Sequence, residues 1–568
     1  MRSSILFILL LNNIVLSYSP GEVPFEWSGQ WGLSQKYGLS YWGMENYQFP
    51  LYIDGNFLNW NRRYQFPFPN KIEDFDEEKK FNSSFVYRQG DYSLDELSFD
   101  LQSRSNPNSY TRFRALKRNF EDYHGSLDLE VNPGGTIQQN YRLDSQIKDK
   151  KGGLWNISSA VYFTTGGVPV WDEVIWSRGL ERKDKIILAG TNYRGSFGEI
   201  KYSIEGSTFL QKLINRKRME GISAWSINFL SNRFNAIAQL PIKDKIFAFL
   251  SLTGRQKAVN SDTLGNQRQT YISILGGIRI NSKKLENKIG IGVTALTNGV
   301  KTTTFNGNLN LHFRKNQIFL NIKHDFLPLP FQFTGKEYMY VPDYFTPTLI
   351  PTIRPNSNIE TPTLSLIRSG ILRNGDLFSS KAILFVSQKS PNHYFENINQ
   401  FNDVSIIQVI SSQTSFSSGL LLSGKLNYLR DWIISFHGKS FFQNNLGWEN
   451  FFKHEQQLSL FFREKLFNGR LDAKLNLTYN RWSGRTSFEW DPVLNMGYNY
   501  FGSSKIRNSI GLITAEFSVL VRSVEFSYAI KNLEYALDST AINTFSPSQF
   551  FPPAHRLAYL SVKWKLTD

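Results

Sequence analysis

The connections between this chain's alternating apolar–polar segments constrain its fold more than any other feature, because they alternate in length. Counted back from the last residue, 533–555 is a long link and the turn at Arg522 is tight. Next, 482–508 is long, 466–469 short, 440–454 long and 428–430 short. Then 387–414 is long, 373–375 short, 327–361 very long and 314–316 short. Ten consecutive links in this order predict a closed barrel with tight turns at one rim and long loops at the other. A two-sheet sandwich has no reason to show it. Two places disturb the pattern. Residues 404–410 form an apolar run inside a stretch read as a loop. Further upstream, 231–233 and 241–244 read as successive short turns, so a strand is misread between about Phe209 and Phe249.

Between the links the residues alternate with period two, which places one set on each face of a strand. In the final segment Leu560, Val562, Trp564 and Leu566 alternate with Ser561, Lys563 and Lys565. Phe81, Ser83, Phe85 and Tyr87 share a face, as do Leu97, Phe99 and Leu101. Leu127, Leu129 and Val131 lead into Asn132-Pro133-Gly134-Gly135, and Ile137, Gln139, Tyr141 and Leu143 follow, which predicts a hairpin. Trp155, Ile157, Val161 and Phe163 continue the series, followed by Ile200, Tyr202 and Ile204 and by Trp225, Ile227 and Phe229. The expected fold is all-β, a large antiparallel transmembrane β-barrel of about 22 strands (range about 20–26) over residues 81–568.

The start of the chain reads as a signal peptide, residues 1–17, with Arg2 before an apolar core from Ile5 to Leu16. After it comes an irregular segment, 18–80, rich in aromatics, Gly and Pro, with an acidic run over 73–78. A periplasmic position, a place in the barrel mouth, or one or two irregular strands all fit this segment. Nothing later approaches an eighteen-residue apolar run, and mean hydropathy is −0.34, which excludes helical spans. Aromatic residues nevertheless make up 15% of the chain, the supply that interfacial girdles need. There is no Cys, so disulfides, thiolate metal sites and a lipoprotein anchor are excluded. The net charge of +16 on an exported chain fits an anionic lipid surface or anionic solutes better than nucleic acid.

If the apolar rows face lipid, the alternate rows line a lumen. The lumen-lining candidates are Arg279, Asn306, Asn308, Asn310, His312, Arg314, Lys323, Arg463, Lys474, Lys563 and Lys565, with Asp325, Asp472, Glu516 and Glu525 for balance. Water-filled pores select solutes by such charges. The longest link carries Phe331, Phe333, Tyr338, Tyr340 and Tyr344 among several prolines, a stiff composition suited to a constriction or an external ligand. No catalytic set emerges: the seven His residues show no metal spacing, and no Gly-x-Ser-x-Gly elbow occurs. His324-Asp325, at a strand end, is the one pair worth inspecting as a site. No cofactor or metal is expected.

The C-terminal region, Phe526-Ser-Tyr-Ala-Ile-Lys-Asn-Leu533, then Ser546-Pro-Ser-Gln-Phe-Phe-Pro-Pro-Ala-His-Arg556 and the final strand, resembles the last hairpin of Bacteroidetes-type outer-membrane barrels. Porins and TonB-dependent receptors of that type share it, and Ala554-His555 replaces their usual Gly. The likeness covers Phe526–Asp568 and lies nearer the porins, since 18–80 is too short and irregular for a receptor's plug domain. It implies a bacterial outer-membrane location, lipopolysaccharide and small solutes as partners, and a final strand read by the barrel-assembly machinery. The expectation is a porin-like channel, passive or loosely selective. The alternatives are a plugless receptor-like barrel working with a surface lipoprotein or secretion partner, and a barrel enzyme or structural envelope protein.

Overall fold

In the computed structural model, one antiparallel sheet of 22 strands closes on itself. The structure describes residues 81–567, apart from 92, 121–135, 168–179, 218–222, 262–264, 283, 327–337, 340–351, 355–358, 401–403, 413, 429–430, 445–451, 486–487, 492–495, 500–508, 532 and 534–555. The first eleven barrel strands are Phe81–Gly90, Leu94–Asn106, Ser109–Phe120, Thr136–Lys148, Leu154–Gly167, Leu180–Phe197, Ile200–Lys217, Ser223–Lys243, Ile246–Ser261, Gly265–Asn281 and Leu285–Leu296. The remaining eleven are Lys301–Phe313, Asn316–Phe326, Thr363–Arg373, Phe378–Ser390, Ser415–Tyr428, Trp432–Asn444, Phe452–Leu466, Leu471–Arg485, Ser509–Val521, Val524–Lys531 and Leu557–Thr567. Each pairs with its neighbours, and the last pairs with the first in the register Phe85↔Trp564 and Tyr87↔Val562. Closure leaves no unpaired edge.

The ten links at one rim are 107–108, 149–153, 198–199, 244–245, 282–284, 314–315, 374–377, 429–431, 467–470 and 522–523. Tight turns of this kind recruit left-handed backbone, seen at Arg314 (φ 49°), Asn468 (φ 55°) and Arg522 (φ 55°). In the turn 149–153 the Asp149 carboxylate accepts from the Gly153 and Lys151 amides, both at 2.8 Å, and from the Tyr193 hydroxyl at 3.0 Å. The Gly153 bond, joined by the others, holds its pKa below the ordinary carboxylate value. A side chain at Gly153 would displace the Tyr193 hydroxyl or the Asp149 carboxylate from this arrangement. The opposite rim carries the long links, 121–135, 168–179, 327–362, 391–414, 486–508 and 532–556, together with a few short ones such as 91–93.

All ten links read from the sequence fall at the rims expected of them, although 440–454 shortens to 445–451 because both flanking strands run on. The apolar run 404–410 is a strand, Val404–Ser412, but it lies outside the barrel. It pairs with Asn392–Gln400 in a separate six-stranded sheet built from three long links. Its remaining strands are Tyr338–Met339, Thr352–Arg354, Phe488–Asp491 and Met496–Asn499. The predicted turn at 231–233 is corrected: Ser223–Lys243 is one uninterrupted strand, so Ser231-Asn232-Arg233 spends its turn propensity in extended backbone and the parity is restored. The segment 127–131 and its Pro-Gly-Gly turn lie outside the described residues, as do 1–80.

A single-layer barrel has no sandwich core; its exposed apolar residues form an outward belt, and smaller apolar groups are buried on the inward face. Ile272, Ile274 and Ile278 are about half exposed, as are Ile289, Ile291 and Val293 on the next strand and Leu384 and Val386 four strands further on. Such a belt running round the molecule far exceeds the few hundred Å² of apolar patch that a monomeric soluble protein tolerates, and lipid is the solvent that would accept it. Aromatic rings mark its short-turn edge. Trp155 packs on Tyr193 (4.6 Å between centroids), Tyr193 on Tyr202 (5.7 Å) and Trp432 on Phe462 (4.5 Å). At the long-link edge the outward row turns polar, as in Ile318-x-Leu320-x-Ile322-x-His324 and Leu475-x-Leu477-x-Tyr479-x-Arg481. One strand departs from expectation: Phe229 faces inward, 1% exposed and edge-on to Phe209 at 6.1 Å, while Leu230, Phe234 and Leu240 face out.

Candidate functional site

The inward face is the candidate site, and two arcs of it differ in charge. Across the strands from Leu94–Asn106 to Ile200–Lys217 the inward charges pair with one another, among buried apolar residues such as Leu116, Tyr162 and Ile186. Glu96 is 0% exposed and accepts from Arg118 Nε at 2.6 Å and from Arg88. Arg118 Nη1 also donates to Gln138 at 3.3 Å. Asp100 takes a two-pronged contact from Arg112, at 2.6 and 3.0 Å, and Asp144 takes another from Arg142 and a hydroxyl from Ser158 at 2.7 Å. An amide chain, Gln146 to Asn156 to Asn192 to Ser203, continues round the wall. Buried charges persist only when paired and hydrogen-bonded, and here they are.

The arc of ten strands from Ser223–Lys243 to Trp432–Asn444 is basic. The cross-strand register puts Arg233, Arg255, Lys257, Arg279, Lys288, Lys323, Arg368, Lys381, Lys389, Lys425 and Lys439 on the inward face. The acids beside them on the same face are Glu286, paired with Arg279 at 2.9 Å, and Asp325, which accepts from Thr304. Lys288 lies over the Phe249 ring at 4.4 Å and Lys439 over Phe441 at 4.9 Å. Exposure divides this wall by height. Towards the long links Lys257, Lys323, Lys389 and Lys439 are each buried, as is an inward apolar cluster of Leu364, Leu366, Phe385 and Phe441. Towards the short turns Arg279, Lys288, Lys381 and Lys425 are partly exposed, and Lys465 and Lys565 across the barrel are more so.

Most sequence candidates sit on this inward face. Asn306, Asn308, Asn310 and His312 form one row, with Lys323 opposite Asn306. Arg463 binds Asp472 at 2.5 Å, Lys474 binds Glu525 at 3.2 Å, and Lys563 stands opposite Glu525 in the ladder. Arg314 is different: it occupies a tight turn at the rim, exposed, and does not line the wall. Tyr338 pairs through its backbone with Ile353 in the separate sheet, while Phe331, Phe333, Tyr340 and Tyr344 lie outside the described residues. His324 and Asp325 do not meet. Being adjacent on a strand they point to opposite faces, His324 outward to Ser365 (2.8 Å) and Asp325 inward. Among the described residues no group of His, Asp and Glu is placed to hold a metal ion.

Sequence reading missed the paired wall and most of the basic one. The polar row Gln138, Asn140, Arg142, Asp144, Gln146 alternates visibly with Ile137, Tyr141 and Leu143, so its face was readable. Its partners were not, because the register that joins Glu96 to Arg118 is set by the ladder alone.

No family model matches the chain, and no curated protein does. Solved structures do. The FrpB iron transporter from Neisseria meningitidis superposes with a TM-score of 0.65 at 10% identity, covering 86% of this chain and 83% of that one. The siderophore receptor PirA from Acinetobacter baumannii gives 0.63 at 10% identity, covering 86% and 81%, and PirA from Pseudomonas aeruginosa gives 0.61 at 9%, with the same coverage. At such identity the likeness is one of fold, and it identifies the 22-strand barrel as the architecture of these transporters and receptors.

Proposed function

We propose that this chain is a bacterial outer-membrane transport barrel whose lumen passes small anionic solutes, passively or with loose selectivity, in the manner of a porin. One observation carries the reading: an arc of ten strands carries inward Lys and Arg side chains with only Glu286 and Asp325 among them in the described residues, while the arc from Leu94–Asn106 to Ile200–Lys217 pairs its charges across its own wall. Such an imbalance in a low-dielectric tube raises the local concentration of anions. The apolar belt and its aromatic rim support a lipid setting, with the short turns in the periplasm and the long links outside. Lipopolysaccharide would then surround the outer half of the belt, and the final strand would be the one the assembly machinery engages.

A second reading, a receptor-like barrel working with a surface lipoprotein, is favoured by the burial of the lumen wall near the long links and by the fold's relatives, an iron transporter and siderophore receptors. Planar-bilayer recording of the purified protein separates the two. Under a salt gradient the channel reading expects discrete openings and an anion-selective reversal potential, displaced towards cation selectivity by Lys288→Glu combined with Lys425→Glu. A silent bilayer, with uptake that needs an energy source or a co-purifying lipoprotein, would overturn it in favour of the receptor.

A further inference from the structure

The outward face also carries charge, in one place arranged against ordinary strand chemistry. Lys185 and Lys212 are direct cross-strand partners, both exposed on the lipid-facing side. Like charges placed opposite each other destabilise a ladder. No described carboxylate pairs with either; the contact Lys185 makes is with the Phe163 ring, 5.3 Å away. One step towards the short turns the same two strands present Ile187 opposite Leu210, so the lysines end the apolar belt there. Three strands from Lys185 along the same register row, through Phe163 and Gln139, stands Lys117, likewise exposed and outward.

Depth fixes what these ammonium groups meet. Tyr193, in the aromatic edge of the belt, lies eight positions beyond Lys185 on one strand. At about 3.3 Å per residue and a tilt of about 40°, that is roughly 20 Å of height, close to the thickness of an apolar band. The lysine pair therefore sits at the opposite interface, at headgroup level on the outer leaflet. A solute in the lumen cannot reach it, because the pair is on the other face of the sheet. We infer that Lys185 and Lys212 bind, between them, a phosphate of a phosphorylated outer-leaflet glycolipid of the lipid A type. Each ammonium brings three donors, and a phosphate monoester carries enough charge and enough oxygens to bridge both. The mutual repulsion of the lysines becomes a shared attraction.

This inference rests on the outer-membrane reading, and the test keeps the two apart. Wild-type protein and a Lys185→Gln/Lys212→Gln double variant are reconstituted into phosphatidylcholine vesicles containing bisphosphorylated lipid A. They are re-extracted in detergent, and retained lipid A is measured by mass spectrometry. With about 1 kcal/mol per interfacial lysine, the double variant should retain lipid A roughly tenfold to thirtyfold more weakly while inserting normally. Dephosphorylated lipid A should not be retained by either protein. Equal retention by wild type and variant, or equal retention of the dephosphorylated lipid, would overturn the inference alone. Displacement of lipid A by millimolar inorganic phosphate would assign the pair to the free ion and overturn the lipid assignment. Failure of the wild type to insert into any vesicle would overturn the membrane reading, and this inference with it.

Discussion

His393 shows how a single residue's setting becomes a measurable property. It lies in the separate sheet, 2% exposed, with Nε2 donating to the Glu360 carbonyl and Nδ1 accepting from the Ser411 hydroxyl, each at 2.8 Å. Burial lowers its pKa below the ordinary histidine value, with Lys389 adding to the effect and the Glu360 carbonyl opposing it. The folded sheet thus takes up a proton less readily than the unfolded chain. The stability contributed by the neutral ring is complete above about pH 6.5 and is lost as the pH falls from there through the lowered folded value. The protection factors of the amides along Asn392–Gln400 and Val404–Ser412, with the intrinsic slowing of exchange in acid divided out, should fall below about pH 6.5, and His393→Gln should flatten that dependence; an unchanged profile in the variant would assign the acid sensitivity elsewhere. Legibility at this scale was uneven. Period two put Asn306, Asn308, Asn310 and His312 on one face correctly, since that inference needs only the strand itself. The same rule separates His324 from Asp325, because neighbours on a strand take opposite faces, so the chain order alone argues against that pair as a site. The ion pairs of Glu96 and Asp100 were beyond reach, because they join side chains whose proximity comes from neighbouring strands, whereas Arg142 and Asp144 stand two apart on one strand and share a face that period two does show.

At the scale of strands and turns the link lengths carried the reading, and the one failure has a local cause. Ser231-Asn232-Arg233 has turn-favouring chemistry, but its residues pair on both sides, with Phe209, Thr208 and Ser207 and with Lys257, Gln256 and Arg255. Two flanking ladders outweigh a propensity measured in tenths of a kcal/mol. The apolar run 404–410 was a strand that no parity count within the barrel could use. Face assignment within a strand can be tested on the last one. Val562 looks outward between Leu560 and Trp564, and Lys563 looks inward opposite Glu525. Val562→Lys should cost on the order of 1 to 3 kcal/mol of membrane stability, between the interfacial and midplane values. Lys563→Glu should leave a folded, heat-modifiable barrel. Electrophoresis of unheated samples reports both, and equal tolerance of the two changes would mean that the barrel assignment of this strand is wrong.

For the whole molecule, the positive net charge read from composition is not spread evenly along the described wall: from Leu94–Asn106 to Ile200–Lys217 basic side chains pair with Glu96, Asp100 and Asp144, while from Ser223–Lys243 to Trp432–Asn444 the described carboxylates on the same face are Glu286 and Asp325. Strand number and closure were legible because both follow from segment count and link parity; the charge asymmetry was not, because it needs every strand's face at once. Deleting Leu557–Thr567 should abolish the barrel altogether, leaving Phe81–Gly90 and Val524–Lys531 as raw edges. A truncated protein that still migrated as a compact species without heating would contradict this. The seam those strands form has a consequence in time. Asp91 and Ala558 clasp it, each amide bonded to the other residue, at 2.8 and 2.9 Å, across a sequence separation of 467. A contact so distant forms last, and until it forms the first strand carries a row of unsatisfied amides and carbonyls that hydrocarbon would punish severely. Entry into the bilayer strand by strand is therefore closed to this chain. The opening edge has to be sheltered, by water or by a template that mimics its missing neighbour, for as long as the rest of the circumference takes to arrive.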